Sequence, residues 1–203
     1  MTETPSSAAA AVLPAKREGE TPLPVARITV PQYLRMVGAG VWEDGCPELL
    51  DGVLLPIMPI SGPLHAFLVA FLAETISEGL PSGWSVRREA GIELGGSVLA
   101  PDLAVVRGTI ADYRTANPTA ADVALLIEVS DSTMARDRRK MTAYAAAGVS
   151  QAAIVDVNGR RLIAYSNPSL EGYGSIDTVQ SAPVTVEGQT VATIEAAALF
   201  DAV

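Results

Sequence analysis

Two stretches of this chain set a carboxylate inside a run of strand-forming apolar residues, and no other feature of the sequence constrains its fold as tightly. Val98-Leu-Ala-Pro-Asp-Leu-Ala-Val-Val106 is interrupted by Asp102, and Val123-Ala-Leu-Leu-Ile-Glu-Val129 by Glu128. An ionised carboxylate buried in such a run costs several kcal/mol unless it is paired or metal-bound. Asp and Glu are also poor strand formers, so local propensity does not place them there. Pro101 lacks an amide donor and points to a bulge or edge that re-aims Asp102. Either acid alone fits a strand end that meets solvent or an arginine. Two such acids in neighbouring strands suit a hard divalent cation, Mg²⁺ or Mn²⁺, with waters completing its shell.

The chain has only two lysines, Lys16 and Lys140. Lys140 falls on a helix predicted over 131–147, directly after the Glu128 strand. Helical spacing puts Asp137, Lys140 and Tyr144 on one side, which places the ammonium at the rim of the core near the carboxylates. There it can orient an attacking water and steady charge on a phosphate. Arg136, Arg138 and Arg139 read as a solvated helix face. On spacing alone Glu48 is a strand-end acid opening a hairpin, and His65 a half-buried histidine at the start of a helix. Cys46 has no neighbouring base to activate it, and Trp42 and Trp84 read as packing residues.

Composition removes several classes. With one cysteine and one histidine, an internal disulfide framework and a Cys/His zinc site are both excluded, and a reducing compartment is expected. A nucleophilic triad is possible only through His65. The 203 residues carry 14 Lys+Arg and 23 Asp+Glu, a formal net charge of −9. That argues against a general nucleic-acid coat protein, whose affinity comes from many cations on phosphates, although a local basic patch can coexist with an acidic body. Residues 1–26, rich in Pro, Ala, Ser, Thr and Glu, read as a disordered extension without the order of regions of a signal peptide. No stretch has the length of a membrane-spanning helix. The chain is therefore expected to be soluble and cytoplasmic, without a membrane partner, with one domain over 27–203.

The remaining pattern predicts a helix capped by Thr29 with Tyr33, Leu34 and Val37 inward, and a hairpin over 48–60 around Asp51-Gly52. A helix over 61–78 follows, with apolar residues at 64, 67, 68, 71, 72 and 76. Strands are predicted over 84–88, 91–94, 98–106, 122–130, 152–157 and 161–165, the last two joined by a two-residue turn at Asn158-Gly159. A final hairpin turns at Glu187-Gly188. Strands outnumber helices, which gives an α/β (α+β) domain with a mixed β-sheet flanked by helices.

Taken in order, Glu48-Leu-Leu-Asp-Gly-Val-Leu54, His65, Pro101-Asp102-Leu103, Leu126-Ile-Glu128-Val-Ser130, Lys140-Met-Thr-Ala-Tyr144 through Gly148-Val149, and Ala153-Ile-Val-Asp156 form a series. The series, closing with Ala198-Leu-Phe200, resembles the Uma family of bacterial restriction-endonuclease-type proteins, a branch of the PD-(D/E)XK nuclease superfamily. The resemblance implies a restriction-endonuclease-like core with an extra N-terminal hairpin, and a divalent metal held by Asp102 and Glu128 with Glu48 as a further acid. The superfamily lysine lies two residues after the second acid, where this chain has Ser130; in the Uma-like branch the following helix supplies it, and Lys140 matches that place. His65 matches a recurrent polar position. The family's acid four residues before the helix lysine is replaced by Arg136, with Asp137 one step later, and the aromatic before the Ile-Val-Asp strand by Ala152-Ala153.

The expected function is a Mg²⁺-dependent (or Mn²⁺-dependent) endonuclease hydrolysing phosphodiester bonds of nucleic acid, in the first place DNA. Asp102, Glu128, Lys140 and Glu48 are its catalytic residues, and His65, Arg87, Arg88, Arg138 and Arg139 its substrate contacts. Double-strand cutters often pair two sites by symmetry, so a homodimer is the expected assembly. Two alternatives stay open: a nuclease fold retained as a binding or assembly module without turnover, and a metal-dependent hydrolase of another phosphate ester.

Overall fold

Each apolar run finds a partner strand, and three sheets result. The computed structural model describes residues 26–42, 45–56 and 62–201. The extension expected over 1–26 thus lies, Ala26 apart, outside the described residues, as do Ser61, the expected helix cap, and the end of the first hairpin segment at 57–60.

The main sheet has six strands. In chain order they are β3 (Trp84–Arg88), β6 (Leu103–Arg107), β7 (Val123–Ser130), β8 (Gln151–Asp156), β9 (Arg161–Ser169) and β10 (Gly172–Val179), arranged β10-β9-β8-β7-β6-β3. Only β7 and β8 are parallel, joined through helix α3 (Met134–Ala146). A second sheet orders β1 (Glu48–Leu50), β2 (Val53–Leu55), β4 (Ile92–Leu94) and β5 (Ser97–Leu99) as β2-β1-β5-β4. The third is the hairpin of β11 (Ser181–Val186) and β12 (Gln189–Glu195), with Glu187 (φ 51°) and Gly188 (φ 79°) as the left-handed turn pair such hairpins use. Helices α1 (Val30–Gly38), α2 (Pro63–Gly79) and α4 (Ala196–Phe200) complete the fold.

The two-residue period of β7 decides what lies on each side. Leu125, Ile127 and Val129 enter a core with Leu68, Leu72 and Ile76 of α2, Val184 of β11 and Phe200 of α4. Leu126 faces the other way, packing with Met141 and Tyr144 of α3 and Leu99 of β5. Glu128 follows Leu126 on that second face. Truncating a residue as fully enclosed as Leu126 to Ala costs about 2–5 kcal/mol, so β7 holds its register firmly.

Helix α1 begins as expected: Thr29 caps it in a capping box with Gln32, and Pro31 sits in the first turn. Of its expected apolar face only Tyr33 is buried, and Val37 is 40% exposed. Helix α2 is rotated from the expectation. It buries His65, Leu68, Val69, Leu72, Ala73 and Ile76, whereas Leu64 and Phe67 are exposed; Phe67 stacks on Phe71 instead. The helix's last residue, Gly79, has no room for a side chain, because a Cβ there would lie 1.8 Å from the Val191 carbonyl oxygen of β12.

Three expectations change. The run 98–106 is not one strand: it breaks at Ala100-Pro101-Asp102, so that β5 belongs to the second sheet and β6 to the first. Proline's missing donor makes that break cheap. The turn after β8 spans 157–160 rather than two residues, with Asp156 paired to Arg161 in register. Beyond Tyr165, where the pattern predicts no strand before the final hairpin, β9 runs on to Ser169 and β10 forms as an edge strand.

Candidate active site

The corner between β5 and β6 aims Asp102 at β7. One Asp102 oxygen accepts the Val129 amide at 2.6 Å, one residue beyond Glu128. The other lies 3.2 Å from Nε2 of His65, in the first turn of α2. This bond to Asp102 raises the His65 pKa above its ordinary value, against the opposing effect of burial.

Glu128 is enclosed between β7 and α3. Its Oε1 accepts the hydroxyl of Tyr144 and lies 3.2 Å from Lys140 Nζ, and its Oε2 lies 3.3 Å from the same ammonium. Burial pushes its carboxyl up to about 8; the Lys140 ammonium opposes this and the Asp102 charge adds to it. Lys140 lies one turn before Tyr144 on the same face of α3. Desolvation works against its charge, yet the carboxylates of Glu128 and Glu48 hold its pKa above the ordinary value.

Glu48, the first residue of β1, reaches the same ammonium from the second sheet. Its Oε1 is 3.0 Å from Lys140 Nζ and accepts the Ala100 amide at 2.7 Å. Its Oε2 is bound by Arg136, which also donates to the Pro56 carbonyl. Both oxygens of Glu48 are therefore engaged by protein groups, two of them cationic. Asp137, buried on α3, bonds Thr133, and burial raises its pKa.

These groups line one open cleft of about 690 Å³ that contains Glu48, His65, Glu89, Asp102, Glu128 and Lys140. Gly62 and Ala66 of the α2 N-terminus line it too. Among the described residues, His65, Glu89 and Asp102 form a group whose ligand atoms all lie within 4.8 Å of one another. Two carboxylates and an imidazole in that space fit a divalent cation.

The structure thus brings together Asp102, Glu128, Lys140, Glu48 and His65. It does not bring Arg87, Arg88, Arg138 or Arg139 to the cleft. Arg87 lies over the Tyr113 ring at 5.2 Å, Arg88 is exposed at the end of β3, and Arg138 lines a separate depression with Arg161 and Tyr173. Arg139 is exposed on α3. Arg136, read from sequence as one more solvated arginine, is the one that enters, and its place four residues before Lys140 is the signal that marks it. Glu89, just past β3, carries no such signal.

The solved structure of a protein described as a "putative nuclease belonging to DUF820", from Anabaena variabilis, superposes with a TM-score of 0.63 at 15% identity, covering 86% of this chain and 98% of that one. At that identity the likeness speaks for the fold. No curated protein sequence matches the chain. The sequence profile of the Uma2 family, described as "Putative restriction endonuclease", matches residues 30–198. A match of that extent, over a mixed-sheet nuclease fold, shows that this chain belongs to the Uma2 family.

Proposed function

We propose that the cleft is the active site of a metal-dependent endonuclease that hydrolyses phosphodiester bonds in DNA. The observation that carries this reading is the Lys140 ammonium, buried between Glu48 at 3.0 Å and Glu128 at 3.2 Å, on the cleft wall that Asp102 shares. An ammonium buried against two carboxylates costs more than packing alone requires, and it is suited to charge that develops on a phosphate oxygen.

In this reading Asp102 and Glu128 hold Mg²⁺ or Mn²⁺, which supplies Lewis acidity toward the scissile phosphate when bound. Lys140 orients the attacking water and steadies the phosphoryl charge. Glu48 holds Lys140 and Arg136 in place from the second sheet, next to the metal. Tyr144 fixes Glu128 by donating to Oε1. The N-terminus of α2, which opens on the cleft, favours a phosphate through its dipole.

A plasmid-nicking assay with Mg²⁺ or Mn²⁺ tests the assignment. Asp102→Ala and Lys140→Ala are each expected to lower the rate by about 100-fold or more. Equal nicking by wild type and both variants ends it. The acidic charge balance favours a second reading, a nuclease fold that binds without turnover; Asp102-dependent metal binding with no nicking of any nucleic acid would select it.

A further inference from the structure

We propose that His65 and Glu89 join Asp102 as ligands of the divalent cation, and that the imidazole makes the site prefer Mn²⁺ to Mg²⁺. The inference rests on the metal-dependent reading above and deepens it.

Three elements converge here: the first turn of α2, the residue after β3 and the residue before β6. His65 Nε2 and Asp102 Oδ1 stand 3.2 Å apart, and no pair of ligand atoms in the group exceeds 4.8 Å. Neighbouring donors around an octahedral ion at about 2.1 Å lie ~3 Å from one another, and opposite donors ~4.2 Å. Small side-chain adjustments therefore put all three on one coordination sphere. The main chain already ties the two acids together. Glu89 takes a left-handed φ of 48°, and its amide donates to the carbonyls of Pro101 at 3.1 Å and Asp102 at 3.3 Å. His65 is buried, on the same helix face as Leu68 and Leu72, so its ring enters the cleft from a rigid wall.

The donor set then speaks to the ion. Mg²⁺ takes oxygen ligands almost alone and keeps much of its water, whereas first-row transition ions accept imidazole readily. An imidazole added to the carboxylates, with the cleft side open to water, favours Mn²⁺ between these two ions.

His65 is the chain's single histidine, so in the untagged protein an imidazole nitrogen on the metal has one possible source. Pulsed electron paramagnetic resonance of the wild type with Mn²⁺ is expected to show coupling to a coordinated ¹⁴N. In titrations, the wild type should bind Mn²⁺ about tenfold or more tightly than Mg²⁺. His65→Gln should remove the coupling and most of that preference, and Glu89→Gln should weaken both ions. Bound Mn²⁺ without ¹⁴N coupling overturns the inference, as does a His65→Gln variant with an unchanged Mn²⁺/Mg²⁺ ratio, or a wild type that binds no Mn²⁺. If His65→Gln fails to fold, judged by circular dichroism, the wild-type coupling decides alone. Failure here is separable from failure of the nuclease reading. Asp102-dependent binding and nicking without nitrogen coordination leave that reading standing, whereas nitrogen-coordinated Mn²⁺ with no nicking sinks the nuclease and keeps the site.

Discussion

Glu128 and Lys140 are 3% and 6% exposed at their side chains, so each depends on the other rather than on water. Lys140→Ala leaves two carboxylates without their cation and is expected to cost about 3–5 kcal/mol in denaturant unfolding, beyond its effect on nicking. Tyr144→Phe removes only the donor to Glu128, so a loss of about 1–3 kcal/mol is expected; an unchanged urea midpoint would refute that bond. Glu48→Gln keeps the shape but removes the charge that steadies Lys140, and nicking should fall by about tenfold or more while the fold persists. At this scale much was legible. Asp102 and Glu128 announced themselves because their chemistry conflicts with their neighbours, and Lys140 because helical spacing set it beside Tyr144. Glu89 was not, since an acid just past a strand end conflicts with nothing. The placement of Arg136 was missed because the arginines around it look alike until the orientation of α3 separates them.

Elements marked by caps and turns were readable: the Thr29 capping box and the Asp51-Gly52 and Glu187-Gly188 hairpins all carry local chemistry that fixes them. Strand β10 was not, because Gly, Ser, Asp and Thr interrupt Tyr173, Ile176 and Val179 and leave no continuous apolar run of the kind a buried strand shows. The break between β5 and β6 needed knowledge of two sheets that sequence does not supply. Two predictions belong here. Gly79→Ala forces a methyl against the Val191 carbonyl and should cost about 1–3 kcal/mol or more, read as a lowered melting temperature. Asp156, at the end of β8, accepts the Gly159 amide at 2.8 Å and pairs with Arg161. Burial alone would raise its carboxyl, but Arg161 and that amide hold it below its ordinary 3.8. A carboxyl held low stabilises the fold above 3.8 and loses that contribution as the pH falls through its lowered value. Asp156→Asn should therefore narrow the stability gap between neutral and strongly acidic pH; an identical acid-unfolding curve would contradict the pairing.

For the whole molecule, the cleft is where two sheets meet. The six-stranded sheet brings Glu128, the second sheet brings Glu48, Asp102 stands at their corner, and α3 closes one wall with Lys140. No described helix is long and apolar enough to cross a membrane. The cleft's acids, Glu48, Glu89, Asp102, Glu128, Asp131 and Asp137, outnumber its cations, Arg136 and Lys140, so bare phosphate is repelled there. Removing divalent ions with a chelator is therefore expected to weaken DNA binding by about tenfold or more; a complex equally tight with and without chelator would contradict this account.

An ammonium delivered from a helix, with Ser130 left in the core, changes what substitution is free to do. On a strand, sliding such a group by one residue turns it to the opposite face; on a helix, a jump of three or four positions keeps it pointing the same way. The α3 scaffold therefore tolerates a shift of one turn in sequence at little cost to where the ammonium points.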